Sequence, residues 1–106
     1  MILGLDYNGV ISERREQYSK LAQFFINIGS KVYIISYWDP LKSKLKFFEL
    51  LGDFPYSDVF VNSELCNAPE WKADLCEKLG VDIFIDDKIA IASEVARRGI
   101  LSLVAT

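Results

Sequence analysis

The first ten residues place an acidic side chain between a short apolar segment and a turn. The segment from Ile2 to Leu5 suits a strand that is covered on both faces of a sheet. Asn8-Gly9 is a turn dipeptide, because both residues tolerate positive φ. Asp6 therefore stands at the carboxyl end of a buried strand, the edge at which open α/β sheets bind ligands.

The same pattern returns late in the chain, where the apolar segment from Val81 to Ile85 ends in Asp86 and Asp87. If the two strands are parallel neighbours, three carboxylates converge, which requires a bound cation or a shared proton. The chain contains no histidine. A site made of oxygen ligands, suited to Mg²⁺, is therefore predicted.

Strands alternate with single helices along the whole sequence, which predicts one α/β domain over residues 1–106. The architecture expected is a three-layer, doubly wound, parallel five-stranded sheet. The further strands are predicted at Lys31 to Ser36, Asp58 to Val61 at a sheet edge, and Ile100 to Val104. The helices are predicted from about residue 17 to Ile28, from Asp39 to Leu51, from Pro69 to Leu79, and from Ile89 to Arg98.

Helical spacing of apolar residues indicates which side of the first two helices faces the sheet. In the second helix, Asp39 is the expected N-cap and Pro40 the first helical residue. The third helix is expected to start at an Asn67 or Ala68 cap and to end at Gly80. The inward positions predicted are Tyr18, Leu21, Phe25 and Ile28 in the first helix and Leu41, Leu45, Phe48 and Leu51 in the second.

Composition narrows the classes of partner. A net charge of −3 argues against nucleic acid as the main partner, because phosphate-binding surfaces need a basic stripe. No apolar stretch approaches the ~18 residues that a membrane span needs. The N-terminus lacks the basic segment of a signal peptide, so a cytoplasmic protein is expected. Cys66 and Cys76 have no metal-ligand spacing and are expected to be reduced thiols.

The acidic strand ends, taken in order with two other positions, resemble the haloacid dehalogenase-like (HAD) superfamily of phosphohydrolases and phosphotransferases. That family opens with hhhDxDx[TV], which Leu3 to Val10 match except at the second acidic position. A strand ending in Ser or Thr follows, matched by Tyr33 to Ser36, and then a lysine near a helix start, matched by Lys72. The last motif is an acidic pair after a strand, matched by Asp86-Asp87.

The resemblance implies a HAD-like Rossmannoid sheet with the strand order 5-4-1-2-3 in chain numbering. It also implies that no cap domain is present, because no gap between the motifs is long enough to hold one. The site would then be open unless a partner or a second copy of the chain covers it.

The chemistry implied is attack of the Asp6 carboxylate on a phosphorylated substrate, forming an aspartyl-phosphate that water cleaves. Mg²⁺ would be held by Asp6, Asp86 and Asp87 and by the backbone carbonyl of Asn8. Asp86 is the expected direct side-chain ligand, whereas Asp87 binds through water or supports the site, or instead caps the last helix.

Further residues are expected to contact the substrate or its phosphoryl group. Ser36 would hydrogen-bond a phosphoryl oxygen, and Lys72 would supply positive charge, with Lys78 and Lys88 as rivals for that role. Tyr37, together with Trp38, could form an aromatic rim, although aromatic residues at a loop start more often shield a core. Arg14 and Arg15 could bind a substrate anion or could simply be solvated.

Asn8 is where the sequence departs from the family, whose second aspartate acts as general acid and base. An amide can do neither, and the loss should lower the rate by on the order of 10² to 10⁴. The sequence therefore predicts a phosphatase of reduced or altered activity. The alternatives are other chemistry at the same site, or a binding or regulatory domain without turnover. A response-regulator receiver is disfavoured, because receivers carry their acidic pair after the first strand.

Overall fold

The structure is a computed structural model that describes all residues, 1–106. The strands are β1 (Ile2–Leu5), β2 (Lys31–Tyr37), β3 (Asp58–Asn62), β4 (Ile83–Asp86) and β5 (Leu101–Val104). The helices are α1 (Arg15–Asn27), α2 (Lys44–Leu51), α3 (Ala68–Leu79) and α4 (Ile89–Arg97). No helix combines the length and the apolar character that crossing a bilayer requires.

All five strands are parallel and form one sheet in the order β3-β2-β1-β4-β5. Read from the β5 edge, this order is 5-4-1-2-3, with β1 in the centre between β2 and β4. The expectation of a parallel five-stranded α/β sheet is confirmed. The central position of β1 matters for function, because its carboxyl end lies between the ends of two neighbouring strands.

The helices form a layer on each face of the sheet. One apolar cluster joins α1 and α2 to the sheet through Ala22, Phe47 and Leu51, which are at most 1% exposed. The other cluster joins α3 and α4 to the opposite face through residues such as Ala73 and Val95. This arrangement follows from right-handed crossovers between parallel strands. The crossovers put α1 and α2 on one face of the sheet and the later helices on the other.

The start of α3 agrees with its predicted capping signals. The Asn67 side-chain oxygen accepts a hydrogen bond from the Glu70 backbone N–H at 3.1 Å. Gly80 ends the helix with φ 72°, a conformation that favours glycine. These caps fix the ends of the helix that carries Lys72.

The predicted start of the second helix at Asp39 and Pro40 is wrong. The Asp39 carboxylate accepts from the Leu41 backbone N–H at 2.9 Å and so closes a local turn. The N-cap is instead Ser43, whose hydroxyl oxygen accepts from the Leu45 backbone N–H at 3.1 Å. The helix therefore begins four residues later than predicted, at Lys44.

The predicted inward face of this helix is mostly wrong as well. Three of its four residues are exposed, namely Leu41, Leu45 and Phe48. Only Leu51 is buried, together with Phe47, which the sequence pattern did not single out. Phe47 is buried because its ring makes edge-on contacts with the rings of Tyr7 and Trp38, at centroid distances of 5.4 Å and 5.3 Å.

In α1 the predicted inward residues Tyr18, Leu21 and Phe25 are half-buried against the sheet, but Ile28 is 61% exposed. The helix ends at Asn27, and Ile28 lies on the same side as Leu21, seven residues earlier. Beyond that side no helix covers the sheet. The prediction for Ile28 is wrong because periodicity does not show where the covering layer stops.

Replacement of Phe47 by alanine should lower the free energy of unfolding by about 3 to 5 kcal/mol, because it empties a fully buried ring site. Phe48→Ala is the matched control, since the Phe48 side chain is 46% exposed and should cost about 1 kcal/mol or less. Urea unfolding of both variants measures the difference. Equal losses would contradict the assigned core.

Candidate functional site

Three side chains meet in the interior at the carboxyl ends of β1 and β4. The Lys72 ammonium of α3 lies 3.1 Å from Asp6 Oδ1 and 2.7 Å from Asp86 Oδ2. Lys72, Asp6 and Asp86 are 2%, 4% and 0% exposed. Buried charges need partners, and here one ammonium serves two carboxylates.

Backbone N–H groups complete the partners of the two carboxylates. Asp6 Oδ1 also accepts from the Tyr7 N–H at 2.8 Å, and Asp86 Oδ1 accepts from the Lys88 N–H at 3.0 Å. Both contacts of the Asp6 carboxylate with the protein use Oδ1. Its second oxygen, Oδ2, forms no hydrogen bond with the protein.

Burial and the like charge of the two carboxylates make Asp6 and Asp86 costly to ionise together. The pKa of Asp6 is raised from 3.8 to about 7, mainly by burial; Lys72 opposes this rise, and neighbouring Asp86 adds to it. Burial likewise raises the pKa of Asp86 against the opposing effect of Lys72. Such perturbed carboxyl groups are typical of functional sites, although buried ion pairs elsewhere also produce them.

Asp87 is the third carboxylate of the group. One oxygen from each of Asp6, Asp86 and Asp87 lies within 4.8 Å of the others. Asp87 Oδ1 is buried and has no hydrogen-bond partner. Three carboxylates against one ammonium leave the fully ionised group with excess negative charge, and an oxygen lacking a partner fits a hard cation such as Mg²⁺. This buried aspartate triad could bind a metal ion.

Gly9 makes room for Asp87, a contact that the sequence reasoning missed. Gly9 has φ 80°, and a Cβ at this position would clash with the Asp87 carboxylate. Its hydrogen-bonded turn, closed by the Ser12 N–H to the Tyr7 carbonyl at 2.9 Å, brings the loop over the triad. The Asn8-Gly9 dipeptide predicted the turn, whereas nothing local to it predicted the contact with Asp87.

Ser36 lies near the end of β2, the strand beside β1. Its side chain is 0% exposed, and its hydroxyl oxygen has no hydrogen-bond partner. A buried hydroxyl without a partner is uncommon and suggests a missing ligand or water. Tyr37, the next residue, is half-buried, and Asn8 is exposed in the turn after β1.

Several other expected candidates have structural contacts instead. Trp38 is 3% exposed and packs in the core, which agrees with the interpretation that it shields the core and not with a place in an aromatic rim. Arg15 donates to the Leu50 carbonyl at the end of α2, and Arg14 donates to the Thr106 carbonyl at 3.4 Å. Lys88, the N-cap residue of α4, is exposed, and neither it nor Asp87 provides a side-chain cap for that helix.

The two cysteines are free, with Cys66 exposed and Cys76 buried on α3. Burial raises the pKa of the Cys76 thiol to about 12, against the opposing effect of Lys72. The expectation of unpaired thiols is confirmed.

Neither a protein-family model nor a curated protein matches the sequence. Among solved structures, the chain is similar to the core domain of a candidate phosphoglycolate phosphatase from Streptococcus pneumoniae TIGR4. The TM-score is 0.63 at 15% identity, over 96% of this chain and 77% of that one. It is also similar to a universal stress protein in complex with cAMP, with a TM-score of 0.65 at 15% identity, over 100% and 96% of the two chains. At this identity the likeness shows the fold alone.

The raised pKa of Asp6 predicts that the metal-free protein loses stability as the pH rises from about 4 to about 7. In that window the folded protein holds the Asp6 proton more tightly than the unfolded chain, so acid favours folding. The loss should reach up to about 1.4 kcal/mol per pH unit. Urea unfolding in EDTA at several pH values should show this slope, and Asp6→Asn should make it shallower. Glu49→Gln, at an exposed position, is the control, and an unchanged slope in Asp6→Asn would contradict the assignment.

Replacement of Lys72 by methionine should cost about 3 to 5 kcal/mol at pH 8, because two buried carboxylates lose their shared partner. The cost should shrink at pH 5, where Asp6 can be protonated. Lys78→Met, on the exposed side of the same helix, should change stability by about 0.5 kcal/mol or less. Denaturation of both variants at the two pH values tests the pairing, and a cost independent of pH would contradict it.

Proposed function

We propose that the protein is a Mg²⁺-dependent phosphohydrolase or phosphotransferase that acts through an aspartyl-phosphate on Asp6. The observation that carries this proposal is the buried arrangement of Asp6, Lys72 and Asp86 at the carboxyl edge of adjacent strands. Asp6 keeps one oxygen free of protein contacts there. The likeness in fold to a phosphatase core domain supports the proposal without establishing it.

Asp6, Asp86 and Asp87 would hold the Mg²⁺, with the backbone carbonyl of Asn8 as a further ligand. The fit rests on the spacing of the three carboxylates and on the Asp87 oxygen that has no partner. When bound, the ion would offset the negative charge shared by the carboxylates and a phosphoryl group.

In the first step, Asp6 Oδ2 attacks phosphorus as the bond from phosphorus to the leaving oxygen breaks. Asp6 Oδ1 stays bound to the Tyr7 N–H and to Lys72, which fix the direction of the free oxygen. Lys72 also favours the ionised form of Asp6 that the attack requires. In the second step, water attacks phosphorus, and phosphate leaves as the Asp6 carboxylate is restored.

Ser36 is assigned to the phosphoryl group. Its buried hydroxyl, without a protein partner, would donate to a phosphoryl oxygen as the charge on that oxygen changes. Tyr37 is assigned to the leaving group, because it follows Ser36 at the same edge of the sheet and is half-buried.

Asn8 limits the chemistry that the site can accelerate. Its amide cannot protonate the leaving oxygen or remove a proton from water, so both transfers depend on solvent. Substrates whose leaving group departs readily as an anion should therefore be favoured over alkyl phosphates, and the aspartyl-phosphate should be long-lived.

The test is Mg²⁺-dependent hydrolysis of p-nitrophenyl phosphate and of glycerol phosphate by the protein, by Asp6→Asn and by Asn8→Asp. We expect turnover of the nitrophenyl ester that Asp6→Asn abolishes. Asn8→Asp should accelerate glycerol phosphate hydrolysis more than nitrophenyl ester hydrolysis, by up to about 10² to 10⁴. Asp58→Asn is the control, because Asp58 is exposed at the start of β3, at the opposite edge of the sheet.

The second candidate function is a binding or regulatory domain that keeps the metal site without turnover. Asn8 favours this candidate, because it replaces the acidic residue that turnover of a phosphate ester would use. Mg²⁺ and phosphate binding measured by calorimetry, lost in Asp6→Asn, together with absent turnover in both the protein and Asn8→Asp, would establish binding over catalysis.

A further inference from the structure

Asn8 is held at the entrance to the aspartate site by the residues on either side of it. Tyr7 donates its backbone N–H to Asp6 Oδ1 at 2.8 Å. Gly9 packs so closely against the Asp87 carboxylate that a Cβ has no room there. Between these two contacts the Asn8 side chain is exposed to solvent. A substrate that enters the site from solvent therefore meets this amide first.

The groups around Asp6 leave no acid to protonate a leaving oxygen. The Asp86 carboxylate is bound by the Lys72 ammonium at 2.7 Å and by the Lys88 N–H at 3.0 Å. Lys72 also lies 3.1 Å from Asp6 and is buried with both aspartates. Asp87 is assigned to Mg²⁺, and the chain contains no histidine. A leaving oxygen therefore has to depart as an anion or take its proton from solvent.

The classes of biological phosphate differ in how readily the leaving group departs as an anion. The parent acid of the leaving group has a pKa of about 16 for an aliphatic or water hydroxyl, about 10 for a phenol, about 6 for phosphate and about 4 for a carboxylic acid. A carboxylate is thus the leaving group that needs a proton least. It departs when the donor is an acyl phosphate, the mixed anhydride of a carboxylic acid and phosphoric acid.

The product of the first step favours the same class of donor, because the aspartyl-phosphate on Asp6 is itself an acyl phosphate. When Asp6 Oδ2 attacks the phosphorus of an acyl phosphate, one bond from a carboxylate oxygen to phosphorus forms. An equivalent bond breaks, and the donor's carboxylate leaves with the electron pair. No proton is gained or lost. The step exchanges bonds of one type and is close to balanced in free energy, whereas an alkyl phosphate would exchange a stable ester for a reactive anhydride.

The Asn8 amide suits a leaving carboxylate. Its NH₂ group donates hydrogen bonds without giving up a proton. It therefore stabilises negative charge that develops on a departing oxygen. An ionised aspartate at this position would instead repel the departing carboxylate. The Asn8→Asp substitution that should help the hydrolysis of alkyl phosphates should thus hinder transfer from an acyl phosphate.

We propose that the phosphoryl donor of this site is an acyl phosphate, and that Asn8 selects it by donating a hydrogen bond to the departing carboxylate. The inference rests on the proposed function and deepens it, because it names the class of donor and gives the amide a role of its own. Asp6 is phosphorylated by transfer between two carboxylates, and hydrolysis of the aspartyl-phosphate is a separate, slower step.

The test mixes the protein and Mg²⁺ with acetyl phosphate, pyrophosphate, p-nitrophenyl phosphate or glycerol phosphate. Intact mass measures addition of a phosphoryl group, which it separates from acetylation, and phosphate release measures turnover. We expect acetyl phosphate to react at least ~10-fold faster than any other donor. Asp6→Asn should abolish the reaction, and hydroxylamine, which cleaves acyl phosphates, should remove the phosphoryl group. Asp58→Asn, at an exposed aspartate on the far edge of the sheet, should react like the unaltered protein.

Two substitutions of Asn8 separate selection by the amide from the inherent reactivity of acetyl phosphate. Asn8 is exposed and has φ −67° and ψ 126°, which alanine and aspartate also adopt, so both variants should fold. Asn8→Ala should slow the reaction with acetyl phosphate about 10- to 100-fold, as for loss of a hydrogen bond to a charged group. Asn8→Asp should slow it as well, while accelerating the hydrolysis of glycerol phosphate.

A reaction with p-nitrophenyl phosphate or pyrophosphate as fast as that with acetyl phosphate would overturn the inference and leave the proposed phosphohydrolase standing. The same holds if Asn8→Ala leaves the reaction with acetyl phosphate unchanged, or if Asn8→Asp accelerates it. If no donor phosphorylates Asp6 and none is hydrolysed, the proposed function fails together with the inference.

Discussion

The ion pairs that Lys72 makes with Asp6 and Asp86 tie together elements that are distant along the chain. β1 and β4 supply the carboxylates and α3 supplies the ammonium, all nearly without solvent contact. Removing these groups from water is expensive, and only close pairing offsets the cost. The arrangement therefore requires β1 and β4 to be neighbours and requires α3 to cross behind them. A fold that placed either strand elsewhere would leave buried charges unpaired.

Much of this organisation could be predicted because its signals are local. An apolar strand that ends in aspartate can be recognised from about six residues. Two such strands predict that their aspartates lie at the same edge of the sheet. Asn67 and Gly80 delimit α3 by capping chemistry that depends on nearby residues alone. Lys72 was different, since its assignment came from the order of motifs in a resembling family. Helical periodicity could only have marked its position as inward, where a lysine is unusual.

The errors fall where burial depends on what another element covers. Asp39 and Pro40 match the sequence pattern of a helix start, but the Asp39 side chain closes a local turn instead of capping the helix. Phe47 is a core residue because its ring meets the Trp38 ring at an angle, a contact made across nine residues of chain and not visible in either segment. Ile28 has helical spacing and is still exposed, because the helix layer ends beside it.

The contrast between the two cysteines gives the chain one readily reactive thiol. Cys76 is buried, and its raised pKa keeps the thiol protonated at neutral pH. Alkylating reagents should therefore label the exposed Cys66 and leave Cys76 unmodified. Cys66 is exposed in the segment between β3 and α3, after the carboxyl end of β3. A fluorophore attached there would sit on the same edge of the sheet as Asp6. The native sequence thus carries its own labelling position for following events at that edge by fluorescence.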